Sequence, residues 1–359
     1  MAQPVQLPEP LYAEGFEQGI GEWRGLGPNV QILPDGAPEN VKQGVRALRF
    51  DYRVSNEGLG LLVVPIAPPA LATLKSISFW VKSDHSASLA LVLKEENGGR
   101  FTSIFSVIKG DWQKVEITPA DFVLQSGPTE PQDDNGRLDT DKIENVALVD
   151  FSQIFAQGPA NPDSPVAKML GIQLGPRTLY LDDLVFSSKS INTEPINTEP
   201  INTDLIDDFS RPQAAWFSVG AMNLRVVKAE KAENNALQAD YSQVTGRIAA
   251  LAKLLRPDVL KGKAEVSFDI TSKRHATLIV QLEEHSGGKY NAILDVPASD
   301  TPALKTLKFA DFKASDDSKD NNGQLNLDQV KQLLFIDFSG MLGAETGDNV
   351  LSIQQIRAK

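Results

Sequence analysis

The sequence repeats itself at an offset near 189 residues, and this duplication limits the possible fold more than any other feature. The matched segments are 47–52 (ALRFDY) with 236–241 (ALQADY), 120–122 (ADF) with 310–312, 135–138 (NGRL) with 322–325 (NGQL), and 150–152 (DFS) with 337–339. Their order and spacing are conserved between the two copies. We therefore predict one domain fold written twice, in residues 1–188 and 206–359.

Residues 189–205 separate the two copies. The pentapeptide INTEP at 191–195 recurs at 196–200 and decays over 201–205. Proline fixes its own φ angle and keeps the preceding residue extended. The segment is therefore predicted to be a semi-stiff linker outside either core.

Apolar and polar residues alternate in several short segments, which is typical of half-buried strands. In 77–82 every second residue is apolar, which leaves Trp80 and Lys82 on the opposite face, and 266–271 repeats the alternation. Residues 247–255 have a helical composition, but their counterpart is β-like, so we predict a strand there too. The fold class is predicted as all-β, with two tandem β-sandwich domains.

Other local features carry weaker expectations. Short helices are expected after Asp139 and Asn326, where polar caps precede apolar residues. The glutamate pairs 95–96 and 283–284 precede Gly-Gly turns and are expected to be solvated. Tyr52, Tyr241, Trp23, Trp112 and Trp216 are expected to pack in the cores.

Charge and composition exclude several function classes. The net charge is −12 and no basic stripe is present, so nucleic acid is a poor partner. No apolar run approaches the roughly 20 residues that span a bilayer, so membrane insertion is not expected. The three histidines, His85, His275 and His285, do not repeat between copies, and no catalytic residue is predicted. A non-enzymatic protein is the expectation.

Several segments, taken in order, resemble galactose-binding-like jelly rolls, in particular family 11 carbohydrate-binding modules and the complex I intermediate-associated domain. The segments are Gly15-Phe16-Glu17 with Trp23, 79–82 (FWVK), 112–115 (WQKV), 120–122 (ADF) and 179–184 (LYLDDL). The resemblance implies a five-plus-four-strand sandwich per copy. It also implies a sugar site on the concave sheet or in the loops. A polysaccharide or glycan partner and an extracellular or cell-surface location form part of the leading hypothesis below.

A structural calcium ion is a further implication of the resemblance, at the place where the first and last strands meet. Glu17, Asp182 and Asp183 supply oxygen ligands of the right type in the first copy. The second copy has Gln354 and Gln355 in place of the two aspartates, so calcium is expected in the first copy alone.

For a glycan site, an aromatic platform and planar hydrogen-bonding groups are needed, because a pyranose has an apolar face and a polar rim. Trp80 is the candidate platform, since its counterpart Asp269 shows that the core does not require an aromatic residue there. The polar residues expected beside it are Arg49, Asp51, Arg53 and Lys82. The opposing interpretation is that a loop covers Trp80 and its role is structural.

The leading hypothesis is a non-catalytic polysaccharide-binding protein with two modules, secreted or at the cell surface. Two weak sites on a stiff linker would then gain avidity on one polymer. The alternative is a structural or interaction protein of the cell envelope, with other envelope proteins as partners, or an assembly factor without sugar binding.

Overall fold

A computed structural model describes most of the chain. The described residues are 10–125, 133–157, 165–191, 204–211, 215–228, 235–320, 322–343 and 346–359, and for 165–167 only the backbone is described. Most of the predicted linker, residues 192–203, lies outside them, so its stiffness stays a prediction.

The described residues of the first module form twelve strands and two short α-helices. The strands are β1 (Tyr12–Glu14), β2 (Arg24–Leu26), β3 (Gln31–Asp35), β4 (Ala47–Val54), β5 (Leu61–Pro65), β6 (Ser76–Ser83), β7 (Ala87–Glu95), β8 (Arg100–Val107), β9 (Gln113–Ile117), β10 (Val123–Leu124), β11 (Ile143–Asp150) and β12 (Gly175–Ser187). The helices are α1 (Ser152–Gln157) and α2 (Pro165–Leu170).

Twelve strands are also formed by the part of the second module that the structure describes. They are β13 (Leu205–Asp207), β14 (Trp216–Val219), β15 (Met222–Lys228), β16 (Asn235–Gln243), β17 (Ala249–Leu254), β18 (Glu265–Ser272), β19 (Ala276–Glu284), β20 (Lys289–Val296), β21 (Ser299–Lys308), β22 (Lys313–Ala314), β23 (Val330–Asp337) and β24 (Gly347–Ala358).

Each module is a sandwich of two antiparallel sheets. Sheet A has the order β3-β4-β12-β6-β9, with β1 added beside β12, and sheet B has the order β10-β8-β7-β11-β5-β2. Sheet C (β15-β16-β24-β18-β21, with β13 on β24) and sheet D (β14-β17-β23-β19-β20-β22) repeat them. The predicted all-β tandem sandwich is confirmed. Each sheet has six strands, more than the five and four that the resemblance implied, because strands of only two or three residues extend the sheets.

The inward faces of the strands form one apolar core in each module. Ile77 and Phe79 are buried, as the alternation predicted. Tyr52 and Tyr241 also lie in the cores, as predicted, and their hydroxyls donate to Asp150 (2.8 Å) and Asp337 (2.5 Å). Burial, together with the aspartate, raises the pKa of Tyr52 well above its usual value.

One predicted strand is present, and two predicted short helices are not. The strand predicted within 247–255 is present as β17. The helices expected after Asp139 and Asn326 are wrong: Asp139 begins a single 3₁₀ turn, and Asn326 begins only a turn. The reason is that β11 and β23 start within four residues of these positions, which leaves no room for a helix.

The expectation that both glutamates of each pair are solvated is wrong for Glu95 and Glu284, which are fully buried. Glu95 Oε1 accepts the backbone N–H of Asp139 at 2.6 Å, and Glu284 Oε1 accepts that of Asn326 at 2.5 Å. In both modules the carboxylate therefore satisfies a backbone donor of the loop that returns to the sandwich. Burial raises the pKa of Glu95 to about 7.

We expect the substitution Glu95→Gln to change the pH dependence of stability. Because the pKa of Glu95 is raised from 4.5 to about 7, protonation favours the folded state. Its contribution is complete below the unfolded pKa and is lost as the pH rises through the folded pKa. The stability of the wild type relative to Glu95→Gln should therefore fall by up to about 3 kcal/mol between about pH 4.5 and about pH 8, measured by urea unfolding.

Glu96→Gln is the matched control, because Glu96 is the exposed neighbour on the same turn. Its stability should follow the wild type at every pH. If Glu95→Gln also runs parallel to the wild type, the carboxylate does not titrate as its burial requires.

The two modules pack directly on each other through the outer faces of sheets B and D. The buried apolar residues of this interface are Ala90, Ile104, Val149, Leu170, Phe217, Val219, Ala250 and Ala252. Phe217 lies 5.1 Å from Phe151 between ring centroids, in an edge-on arrangement. Ser88 Oγ donates to Ser218 O and accepts from Ser218 N, both at 3.0 Å. The layers therefore follow the order A, B, D, C.

We expect Phe217→Ala to cost about 3 kcal/mol of stability, because it empties the centre of this interface. The measurement is equilibrium urea unfolding followed by far-UV circular dichroism. Leu304→Ala, which removes an exposed leucine from sheet C, should change stability by less than about 0.5 kcal/mol. Equal costs for the two variants would contradict a stabilising interface.

Candidate functional site

The outer face of sheet A gathers most of the predicted ligand-binding residues around Tyr180. On β12, Tyr180 lies opposite Arg49 of β4 and opposite Lys82 of β6. Trp80 lies two residues before Lys82, and Asp51 lies opposite Thr178 on the same face. Arg53 is exposed at the end of β4. These strands therefore bring Trp80, Lys82, Arg49 and Asp51 onto one surface, which we call the aromatic face.

Trp80 is half-buried on this face, and its ring is partly covered by a loop. Lys42 Nζ lies 4.0 Å from the centroid of the Trp80 ring. Lys82 Nζ donates to Glu39 O at 2.6 Å and to Asn40 Oδ1 at 3.2 Å. The segment between β3 and β4 thus closes over one end of the aromatic face, and the exposed Lys42 side chain occupies the outer ring surface.

Two more aromatic residues lie at this face, and neither was among the predicted binding residues. Tyr180 is half-buried, with Lys82 Nζ 5.6 Å from its ring centroid. Trp112 is also half-buried, and its ring centroid is 6.5 Å from that of Tyr180. The expectation that Trp112 packs in the core is wrong, because it precedes β9 at the edge of sheet A. A signal for Tyr180 was present: it alternates with the buried Leu179 and Leu181.

Polar groups beside the rings form a short network. Arg49 Nε donates to Asp51 Oδ1 at 3.0 Å, and the Thr178 hydroxyl donates to the same oxygen at 2.7 Å. The hydrogen bond that Arg49 donates to Asp51 raises the pKa of Arg49, while burial raises the pKa of Tyr180. The face therefore presents apolar rings next to a guanidinium that is paired with a carboxylate.

The equivalent face of sheet C differs in chemistry. Its residues at the positions of Trp80 and Tyr180 are Asp269 and Ser352, as the strand registers establish. Gln238 stands at the position of Arg49. Asp240 stands at the position of Asp51, so one polar residue of the network is retained, whereas neither of these two aromatic residues is.

The predicted calcium ligands hold a loop in place. Glu17 accepts from Val45 N at 3.0 and 3.1 Å, and Asp182 Oδ2 accepts from the backbone N–H groups of Lys42 and Gln43 at 2.8 Å each. Asp183 Oδ2 accepts from Gln43 Nε2 at 2.9 Å. These bonds account for acidic residues at this position without an ion.

Within the described ranges, no group of three or more His, Cys, Asp and Glu residues that could hold a metal ion is found. Asp182 Oδ1, however, is buried without a hydrogen-bond partner, and burial raises the pKa of Asp182. Calcium binding stays a prediction that centres on Asp182.

If calcium binds at Asp182, we expect about 1 mM calcium to raise the melting temperature of the wild type over that in EGTA, and to leave that of Asp182→Asn unchanged. The asparagine keeps an acceptor for the loop but removes the anionic ligand. Differential scanning fluorimetry measures both. No response in the wild type would exclude a calcium site, and an equal response in the variant would place the ion elsewhere.

Solved structures similar to this chain include carbohydrate-binding modules. A family 11 module from Clostridium thermocellum, in complex with a β-1,3-1,4-mixed-linked tetrasaccharide, is 15% identical with a TM-score of 0.35, covering 50% of this chain and 96% of that module. The tandem CBM22-1-CBM22-2 domain of Paenibacillus barcinonensis Xyn10C is 13% identical with a TM-score of 0.32, covering 100% and 99%. These likenesses concern the fold. Neither a protein-family profile nor a curated protein sequence matches the chain.

The described part of the chain contains no helix long and apolar enough to cross a membrane.

Proposed function

We propose that the protein binds a polysaccharide on the aromatic face of its first module and catalyses no reaction. The observation that carries the proposal is the grouping of Trp80 and Tyr180 on one sheet surface beside Arg49 and Asp51. A sugar ring stacks its C–H face on an aromatic ring and directs its hydroxyls to planar donors and acceptors at the rim.

The charged groups of the face can form hydrogen bonds with sugar hydroxyls. Arg49 is paired with Asp51, and Lys114 at the far edge is paired with Glu116. Paired charges of this kind offer hydrogen bonds to hydroxyls but little net field for a polyanion. Lys82 bonds neutral oxygens of Glu39 and Asn40, and Lys42 lies over Trp80, so the face suits a hydroxyl-rich polysaccharide through stacking and hydrogen bonds rather than through net charge.

Lys42 sets the strength of the proposed binding. Its ammonium occupies the outer surface of Trp80, so a sugar ring must displace it. Cation–π contacts at exposed sites contribute about 0.5–1 kcal/mol. Displacing Lys42 from the Trp80 ring therefore costs little enough to allow sugar binding but enough to weaken it.

Binding is proposed to involve one face, without avidity between the modules. Sheets B and D lie between sheets A and C, so the outer faces of A and C point away from each other. One straight polymer segment cannot contact both faces, and avidity on one chain requires that both sites reach it. The absence of Trp80 and Tyr180 equivalents on sheet C agrees with a single site.

An extracellular or cell-surface location, with or without calcium, belongs to the same proposal. Its support is the polysaccharide chemistry of the aromatic face, since such polymers lie outside most cells. The second candidate function is a structural or interaction protein of the envelope, or an assembly factor. The contact of Lys42 with Trp80 favours this alternative, because it gives the tryptophan a partner within its own module.

Affinity gel electrophoresis against mixed-linkage β-glucan, xylan and other soluble neutral polysaccharides distinguishes the two. We expect at least one polymer to retard the wild type, and Trp80→Ala and Tyr180→Ala to weaken binding roughly tenfold each, a loss of about 1.4 kcal/mol. Lys42→Ala should bind as tightly as the wild type or more tightly, because it uncovers Trp80.

Asp269→Ala is the matched control, since Asp269 holds the position of Trp80 in the second module. It should not alter retardation. If no polysaccharide retards the wild type, or if Asp269→Ala weakens binding as much as Trp80→Ala, sugar binding on the aromatic face is excluded and the interaction-protein alternative gains.

A further inference from the structure

Three isoleucines form a row across the outer face of sheet D. Ile336 of β23 lies opposite Ile279 of β19, and Ile279 lies opposite Ile293 of β20. The row begins at the interface with the first module, where Ile336 contacts the buried apolar cluster. It ends in solvent, because Ile293 is 76% exposed. We call these three residues the isoleucine row.

The first module has the same row, and there it is covered. The equivalent residues are Val149, Ala90 and Ile104, which occupy matching positions on β11, β7 and β8. All three are buried in the interface with the second module, where β14 lies against β7 and β8. The surface that receives a neighbouring module in the first copy is therefore left open in the second.

The strand that covers the first row also has an equivalent, and this equivalent is free. β14 pairs with β17 as β2 pairs with β5, and the registers place Arg24 and Leu26 at the positions of Phe217 and Val219. Phe217 and Val219 are buried in the interface, whereas Arg24 and Leu26 are exposed. The molecule thus has an exposed strand equivalent to β14, which is β2, at one end. At the other end it has an exposed surface equivalent to the one that β14 covers, which is the isoleucine row.

The polar positions around the isoleucine row suit this strand. Ser88, whose hydroxyl bonds the backbone of β14, corresponds to Thr277, which keeps a hydroxyl. Ser106, which donates to Trp216 O, corresponds to the exposed Asp295. This carboxylate, whose Oδ1 also lies 2.6 Å from Nε2 of His275, complements the arginine that β2 carries in place of Phe217.

We propose that a second copy of this chain packs its β2 strand on the isoleucine row, as β14 packs on the first module within one chain. The contact is heterologous, since different surfaces of the two copies meet, and it leaves a free surface at each end. Such contacts extend into open-ended arrays unless the rotation between copies closes a ring. The contact is weaker than the internal one, because Arg24 replaces the buried Phe217.

Sedimentation velocity of the full chain, from about 10 μM to about 1 mM, tests the proposal, since a contact of this kind belongs to the weak affinity range. The wild type should show a weight-average mass that rises with concentration beyond that of a dimer. Ile293→Asp, which blocks the receiving surface, and Leu26→Asp, which blocks the covering strand, should each remain at the mass of one chain.

Mixing the two variants gives the decisive result. Ile293→Asp keeps an unchanged β2 strand, and Leu26→Asp keeps an unchanged isoleucine row. The β2 strand of the first variant can therefore pack on the row of the second, so the mixture should form dimers and nothing larger. Leu304→Asp is the matched control, because Leu304 is 68% exposed on sheet C, away from both surfaces, and it should associate like the wild type. Circular dichroism checks that the variants fold.

Three results would overturn the proposal. They are a wild type that keeps the mass of one chain over the whole range, a Leu304→Asp variant that loses association as Ile293→Asp does, and a mixture of the two blocked variants that forms no dimer.

Discussion

The packing of sheet B against sheet D is the interaction on which the rest of the molecule depends. It buries the outer faces of β7, β8 and β11 under β14 and β17, and so fixes the order of the four layers. Because it covers much of the outer faces of sheets B and D, the outer faces of sheets A and C are the broad open surfaces among the described residues. It also leaves part of the outer face of sheet D uncovered, where the isoleucine row extends from the interface into solvent.

This interface had a signal in the sequence that alternation alone does not reveal. Residues 89–93 read Leu-Ala-Leu-Val-Leu, an apolar run on both faces, which is typical of a strand covered on both sides. The counterpart 278–282 reads Leu-Ile-Val-Gln-Leu and includes a polar residue, consistent with a face that is only partly covered. The duplication made the comparison possible, but the partner of the outer face could be identified only from the fold.

The predictions from the sequence were accurate where one physical rule decides the outcome. Period-two alternation places Phe79 inward and Trp80 outward, and the structure agrees, because a strand has only two faces. Rules about single residues failed where tertiary contacts override them. Glu95 lies next to a Gly-Gly turn, which suggests solvent, yet the loop at Asp139 brings a backbone donor to its carboxylate. Similarly, the proximity of Tyr180 to Trp112 depends on the pairing of distant strands.

The predicted metal region and the predicted sugar region prove to be linked through one loop. Asp182 Oδ2 accepts the backbone N–H of Lys42, and the side chain of the same lysine lies over Trp80. Asp182 is therefore bonded directly to the residue that covers the aromatic face. Because burial raises the pKa of Asp182, acidification removes the charge that holds this loop. In the second module Gln354 replaces Asp182 and Asp269 replaces Trp80, so the anchoring acid and the ring it helps to cover are both changed. Asp182 and Trp80 are thus linked through Lys42 in the first module, and both residues are replaced in the second.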